Sequence, residues 1–274
     1  MRSLAVLNQK GGVGKTTTAV NLSAALAAAG HRVCLIDLDP QAHATLHLGL
    51  TPGEQGHSIY EVLLGDTALI AAQRQVVENL WLVGSHIDLA AAEVELAGVV
   101  GRESILRDKL AGINHLDTPF DFLLIDCPPS LGVLSLNALA AVDEVLLPLQ
   151  PHFLALHGLS KLLQTIDVVS RRLNPGLKLS GVVLCQYESA TRLASEVGQN
   201  VIDYFDSQRD LPTPWSAAQI FRTRIRRNIR LAEAPSFGQS IFQYAADSHG
   251  AEDYRQLAEE LLRMSVKALL VKSA

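Results

Sequence analysis

The chain of 274 residues carries a formal net charge of −5 and is 48% hydrophobic but only 5% aromatic. That length suits one large α/β domain or two small ones, and we take a single domain over residues 1–274, its core built mostly from Leu, Ala, Val and Ile. The acidic balance excludes a globally basic nucleic-acid binder, and the scattered Cys34, Cys127 and Cys185 form no CxxC pair, which excludes a zinc knuckle or disulfide framework and fits a reduced, cytoplasmic setting.

The N-terminus lacks the long apolar region of a signal peptide; its apolar residues, Ser3 to Asn8, read as a first strand. A glycine-rich turn follows, then an Ala/Leu-rich helix over Lys15 to Ala29, closed by Gly30. Arg32 to Leu38 is a near-continuous apolar run, as expected of a strand covered on both faces, and it ends in acidic residues. Between residues 51 and 118 the pattern weakens, with helices over Ser58 to Leu64 and Gly101 to Leu110 around a strand at Leu80 to Gly84. Strand patterns return at Phe120 to Ile125, Glu144 to Pro148 and Leu179 to Cys185, each followed by a helical or loop segment. This alternation predicts an α/β fold with a doubly wound, mostly parallel sheet flanked by helices. The weakly polar stretch from Asp126 to Asp143 is broken by Pro128, Pro129, Ser130 and Asn137 and is too short to span a bilayer. A final helix over Ala251 to Leu270 sets Tyr254, Leu257, Ala258, Leu261 and Leu262 at helical spacing, predicting that it packs on the sheet.

The most informative segment is Gln9-Lys10-Gly11-Gly12-Val13-Gly14-Lys15-Thr16-Thr17. Its glycines let the backbone curl so that successive N–H groups converge on phosphates, and the following helix adds its positive end. Lys15 is placed for β- and γ-phosphates, the Thr16 hydroxyl for Mg²⁺ and Thr17 for the α-phosphate. A turn that merely allowed tight strand-to-helix packing would need the glycines but not Gly-Lys-Thr. The common loop pattern requires glycine where this chain has Gln9, and the chain adds a second lysine, Lys10.

At these residues the sequence resembles the ParA/MinD group of deviant Walker P-loop ATPases, whose hallmark is K-G-G-x-G-K-[ST]. Gln9 is similar to the ParA or Soj branch, whereas MinD and nitrogenase iron proteins usually carry glycine there. The resemblance implies ATP and Mg²⁺ as cofactors and an ATP-dependent homodimer in which Lys10 reaches the partner's phosphates.

Two further strand ends carry carboxylates. Asp37 and Asp39, in Asp-Leu-Asp-Pro-Gln, sit where ligands bind in open α/β sheets. By resemblance Asp39 positions the attacking water and Asp37 supports the Mg²⁺ network; alone, such a pair reads equally as a solvated strand end. Asp126 closes an apolar strand as a Walker B aspartate and would hold Mg²⁺ through water, with Pro128 and Pro129 stiffening the next loop. Positioning and charge neutralisation then suffice for slow, partner-gated hydrolysis. The resemblance continues through Asn137-Ala138-Leu139, Pro148-Leu149-Gln150, Gly158-Leu159, Leu231 to Gly238 and Gly250-Ala251, with residues 51–118 matching least. Two positions depart from it: His157 stands where an acidic residue is frequent, and Arg226-Arg227-Asn228 replaces Pro-Arg-Asn, leaving Asn228 as the adenine-side contact.

Five arginines, Arg222, Arg224, Arg226, Arg227 and Arg230, crowd one segment of this acidic chain. If residues 221–226 form a strand, Arg222, Arg224 and Arg226 share one face, a stripe suited to duplex phosphates without base readout. Arg192 resembles a DNA-binding position of Soj-like proteins. The competing reading pairs these arginines with Glu233, Glu252 and Asp253. Few aromatics argue against a single-strand binder. The resemblance thus implies a nucleoid-associated ATPase that holds nonspecific duplex DNA with ATP and segregates a chromosome or plasmid with a ParB-like activator. Alternatives are a MinD-like membrane switch, which would need a basic amphipathic C-terminus that Met264 to Ala274 scarcely provides, and ParA-like placement of a non-DNA cargo. A metabolic enzyme of the dethiobiotin synthetase or amidotransferase-ligase kind would use the loop but leave Lys10 and Leu231 to Gly238 unexplained. His43, His47 and His157 show no metal-ligand spacing.

Overall fold

Strands that are apolar along their whole length can satisfy both faces only between two helical layers, and the chain resolves its apolar runs in that way. In a computed structural model all residues are described except 55, 116–117, 153–154, 189–191 and 273–274, with backbone alone at 114–115, 155–157, 193 and 265–272. The strands are β1 (Arg2–Val6), β2 (Val33–Asp37), β3 (Gln73–Val77), β4 (Leu80–Val83), β5 (Phe122–Asp126), β6 (Glu144–Leu149), β7 (Lys178–Tyr187) and β8 (Gln219–Arg226). They form one eight-stranded sheet in the order β3-β4-β2-β5-β1-β6-β7-β8. Every pairing is parallel except β3 with β4. Alternate residues serve opposite layers: Ala5, Ile36 and Ile125 join one buried cluster and Leu4, Leu35 and Leu124 the other.

The strands expected at the sheet's centre are present with ends shifted by a residue or two. The expected helix over Gly101 to Leu110 begins instead as a 3-10 turn at Arg102–Ser104 and becomes α-helical only over Ile105–Leu110. Gly101, at φ 74°, sets the chain in a left-handed turn that an α-helix cannot continue.

Helix α1 (Lys15–Ala28) is buried along most of its length by small residues such as Ala19, Ser23 and Ala27, which let it lie close against the sheet. Helix α2 (His43–His47) follows β2 after Ala42, a non-glycine residue at φ 53°. Helix α3 (Ile59–Leu64) opens on a capping box in which Ser58 and Glu61 satisfy each other's backbone. The C-terminal helix (His249–Lys272) lays Tyr254, Leu257 and Leu261 into the same cluster as Phe221 and Ile225 of β8. Among the described residues no helix is long and apolar enough to cross a membrane. The side chains of the tail beyond Met264 lie outside the description.

The loop after α2 meets the loop of the Leu231 to Gly238 segment almost backbone to backbone. A Cβ on Gly238, at φ 63°, would sit 2.7 Å from the Gly49 Cα, and one on Gly49 would sit 3.0 Å from the Gly238 carbonyl. Gly238→Ala is therefore expected to cost about 2–4 kcal/mol, combining left-handed strain with overlap that no side-chain rotation relieves. Thermal unfolding of the nucleotide-free protein checks this, and a Tm within a degree of wild type would contradict it.

Candidate nucleotide and metal site

The phosphate loop lies at the carboxyl end of β1, where the strand order places β5 on one side and β6 on the other. Gly12 and Gly14 take φ of 73° and 94°, conformations that only glycine adopts without strain. A Cβ added at Gly11 or Gly12 would meet nothing within 4 Å, so the loop is open at these two positions. Gly14 caps α1 with no side-chain hydrogen bond, which leaves the first helical amides, those of Lys15, Thr16 and Thr17, for an anion. Val13 is buried and anchors the turn from below.

The loop is braced by residues outside its motif. Asn8 donates from Nδ2 to the Pro148 carbonyl at 2.7 Å and accepts the Lys10 amide at 3.0 Å, tying the loop to the end of β6. Gln186, at φ 51°, donates from Nε2 to the Gly12 carbonyl at 2.6 Å. Neither residue belongs to the expected site; the left-handed turn at the end of β7 had no signal in the sequence. Gln186→Ala is expected to raise the KM for ATP about two- to tenfold, the scale of one net hydrogen bond, with little change in kcat. Steady-state kinetics at saturating Mg²⁺ would show it, and an unchanged KM would remove Gln186 from the loop's support.

The two lysines occupy different settings. Lys15 is only 8% exposed and its Nζ donates to the Lys10 carbonyl at 3.2 Å. Burial pulls its ammonium below the usual lysine range, opposed by Asp126 and Asp39. Lys10 is exposed and its Nζ contacts Nε2 of His152, just past β6.

Asp37 and Asp126 are register partners on the adjacent strands β2 and β5, and both are fully buried. Asp37 is well bonded: Oδ2 accepts the Thr45 amide at 2.8 Å and hydroxyl at 2.7 Å, and Oδ1 accepts the Asp39 amide at 3.2 Å. Thr45 in turn accepts the Ser85 amide at 2.8 Å, so Asp37 braces α2 against the loop after β4. Burial still pushes its carboxyl up to about 6, the three hydrogen bonds opposing it. Asp126 has no such support. Among the described residues both its oxygens are buried without a hydrogen-bond partner. Burial first, then the charges of Asp37 and Asp39, hold its carboxyl well above the usual range, while the neighbouring Thr16 hydroxyl, which falls short of hydrogen-bond geometry, and the Lys15 charge act to lower it. Asp39 is nearly buried, and its Oδ1 accepts the Gln41 amide at 3.0 Å.

An orphaned buried carboxylate beside a second carboxylate and a threonine hydroxyl is a donor set suited to a hard divalent cation. Among the described residues no three His, Cys, Asp or Glu side chains gather into a metal cage. A cation here would thus be completed by phosphate and water oxygens, which is how Mg²⁺ is usually held. The residues therefore fit Mg²⁺ bound together with a nucleotide.

Beside the loop opens a cleft of about 380 Å³ lined by Gly14, Thr17, Cys185, Gln186, Asn228 and Tyr254, among others. It adjoins the amide-rich turn and is large enough for a base and sugar. Asn228 caps the short helix Ile229–Glu233, its Oδ1 accepting the Arg230 amide at 2.8 Å. A second groove, of about 440 Å³, lies between β8 and the C-terminal helix and includes neither the loop nor an acidic strand end.

The arginines do not form one uniform stripe. Pairing of β7 with β8 shifts register twice, between Val182 and Leu184 and again before Tyr187, and the arginines of β8 differ in burial and in partners. Arg226 pairs with Asp253 and Glu252 at 2.6 and 2.7 Å, as the competing reading had it. Arg224 is half-buried, its guanidinium 6.0 Å from the centre of the Tyr187 ring. Arg222 is exposed. Arg227 pairs with Glu188 at 2.8 Å and Arg230 with Glu233 at 2.9 Å, both on the surface. Arg192, 92% exposed, pairs with Glu196 at 2.7 Å. The side chain of His157 and residue Thr191 fall outside the described residues. Of the other histidines, His47 is buried and held down to about 4 by burial, hence neutral.

A sequence profile of the AAA domain family matches residues 1–179. The chromosome partitioning protein ParA of Myxococcus xanthus is 44% identical over 96% of this chain and 88% of its own length. The sporulation initiation inhibitor protein Soj of Bacillus subtilis is 43% identical over 94% of this chain and 97% of its own. Among solved structures, a Mycobacterium smegmatis protein described as cobyrinic acid a,c-diamide synthase, with bound ATP analog and magnesium, is 40% identical, covers 96% of this chain and 95% of its own, and superposes with a TM-score of 0.79. The cell division ATPase MinD of Pyrococcus furiosus shares the fold at a TM-score of 0.74 and 24% identity, over 96% of this chain and 99% of its own. With the phosphate loop, its second lysine and the acidic strand ends assembled on a mostly parallel sheet, and with relatives of this likeness along nearly its whole length, the chain belongs to the ParA/Soj partitioning ATPases of the P-loop class.

Proposed function

We propose that residues 1–274 act as one ATP-driven dimerising switch that partitions chromosomal or plasmid DNA in the cytoplasm, on the nucleoid. The observation that carries this reading is the division of labour between the lysines. Lys15 is buried with the charges of Asp126 and Asp39 acting on it and serves the chain's own nucleotide, whereas Lys10 is exposed and its ammonium meets His152 instead of the acidic strand ends, within reach of a second copy. Lys15, Thr17 and the loop amides would bind the phosphates, Thr16, Asp126 and Asp37 would hold Mg²⁺, and Asn228 would flank the base. Mg²⁺, when bound, neutralises charge on the phosphates; Asp39 orients the attacking water. Hydrolysis by the isolated chain is weak, and a ParB-like activator stimulates it.

Arg192, Arg227 and Arg230 have carboxylate partners on the surface, and such exposed pairs contribute little. Their guanidiniums can exchange those partners for phosphates of nonspecific duplex DNA, and a dimer doubles the contacts. Arg222 and Arg224 extend the patch along β8.

The test is duplex DNA binding with ATP and with ADP, alongside sedimentation of an Asp39→Ala variant with ATP and Mg²⁺. ATP-dependent dimers that bind duplex DNA, weakened in Arg227→Ala and Arg230→Ala, are the expected result. A variant that stays monomeric with ATP overturns the switch. ATP-dependent dimers indifferent to DNA redirect the reading to a protein cargo.

A further inference from the structure

We infer that His152 is a positioning residue that parks the Lys10 ammonium in cis, so that Lys10 is released only when a nucleotide-bound second copy offers phosphates in exchange. This rests on the reading of Lys10 as a contact to that copy. Three observations converge on it. The Lys10 backbone is fixed at both polar groups, its amide donating to Asn8 at 3.0 Å and its carbonyl accepting Lys15 at 3.2 Å, so only its side chain is left to choose a partner. The partner it takes is Nε2 of His152, on the segment that leaves β6. Asn8 ties that same β6 end to the loop through the Pro148 carbonyl at 2.7 Å, which keeps the two backbone segments side by side.

The chemistry of the contact is directional. A lysine ammonium has donors and no acceptor, so Nε2 must present its lone pair and the imidazole must be neutral with its proton on Nδ1. Partial burial and the neighbouring Lys10 charge both favour the neutral ring, which preserves the acceptor. The parked state therefore competes with the engaged one, and association is weakened by the occupancy of the parked state.

Association with ATP and Mg²⁺ is measured by sedimentation for wild type, His152→Ala, His152→Gln and Lys10→Ala. Loss of the acceptor in His152→Ala is expected to tighten association roughly three- to tenfold, the scale of one net hydrogen bond. His152→Gln, whose side-chain oxygen can accept the same ammonium, is expected to behave as wild type, a rescue that a purely structural role would not give. Thermal unfolding with ADP confirms that the variants are folded. Should His152→Ala associate no better than wild type while Lys10→Ala is defective, parking is wrong and the role of Lys10 stands. A Lys10→Ala protein that associates like wild type removes that role and parking with it, and a His152→Gln protein that tracks His152→Ala overturns parking as well.

Discussion

Asp126→Asn is expected to raise the stability of the nucleotide-free protein while cutting ATP hydrolysis by at least ~100-fold. The two effects share one cause. Among the described residues both Asp126 oxygens are buried beside Asp37 without a hydrogen-bond partner, and a buried charge lacking hydrogen bonds costs of order 1–3 kcal/mol or more, which a neutral amide largely removes. The sign of the pH dependence follows. Asp37 titrates at about 6 in the fold and Asp126 well above its ordinary value, while both titrate near 4 in the unfolded chain. The native state thus holds more protons than the unfolded state above that point, so stability is lost as pH rises from about 4 through 6 and beyond. Unfolding scans across pH, with and without Mg²⁺ and an unhydrolysed ATP analogue, check this: the bound cation should flatten the loss in wild type and do much less for Asp126→Asn. An Asp126→Asn protein less stable than wild type at neutral pH would refute the account.

Lys15→Met is expected to lower kcat/KM for ATP by about 10²–10³. Its ammonium is buried, and the charges of Asp126 and Asp39 act on it. Removing it also raises the electrostatic cost of both carboxylates, so the variant should bind Mg²⁺-nucleotide poorly while keeping the fold that α1 and the sheet secure. Lys10→Met should show the opposite signature, with nucleotide affinity of the monomer near wild type and association with ATP lost. Equilibrium binding of a fluorescent ATP analogue at low protein concentration separates the two. Equal defects in both variants would mean that the lysines serve the same phosphates.

The parallel core was legible because its strands lack polar interruption, and the loop because Gly-Lys-Thr between a strand and a helix has few other uses. β3 was missed for the converse reason: Gln-Arg-Gln-Val-Val is polar, short and antiparallel at the sheet's edge, with none of its residues buried. Thr45 and Gln186 were missed because a single polar residue, eight positions after Asp37 in one case and at a left-handed turn in the other, leaves no periodic trace. The arginine segment was legible as charge but not in its partners, since the Glu252 and Asp253 that hold Arg226 come from the C-terminal helix, 26 and 27 residues further along the chain.

Glu260, on the C-terminal helix, accepts the amides of Arg222 and Thr223 at 2.8 and 3.1 Å. The outermost strand therefore meets solvent with those donors already spent, so a passing polypeptide finds little template there on which to zip. Growth of the sheet from molecule to molecule is discouraged at that rim. For the nucleotide-driven association proposed above, this steers the chain toward contacts its fuel can dissolve.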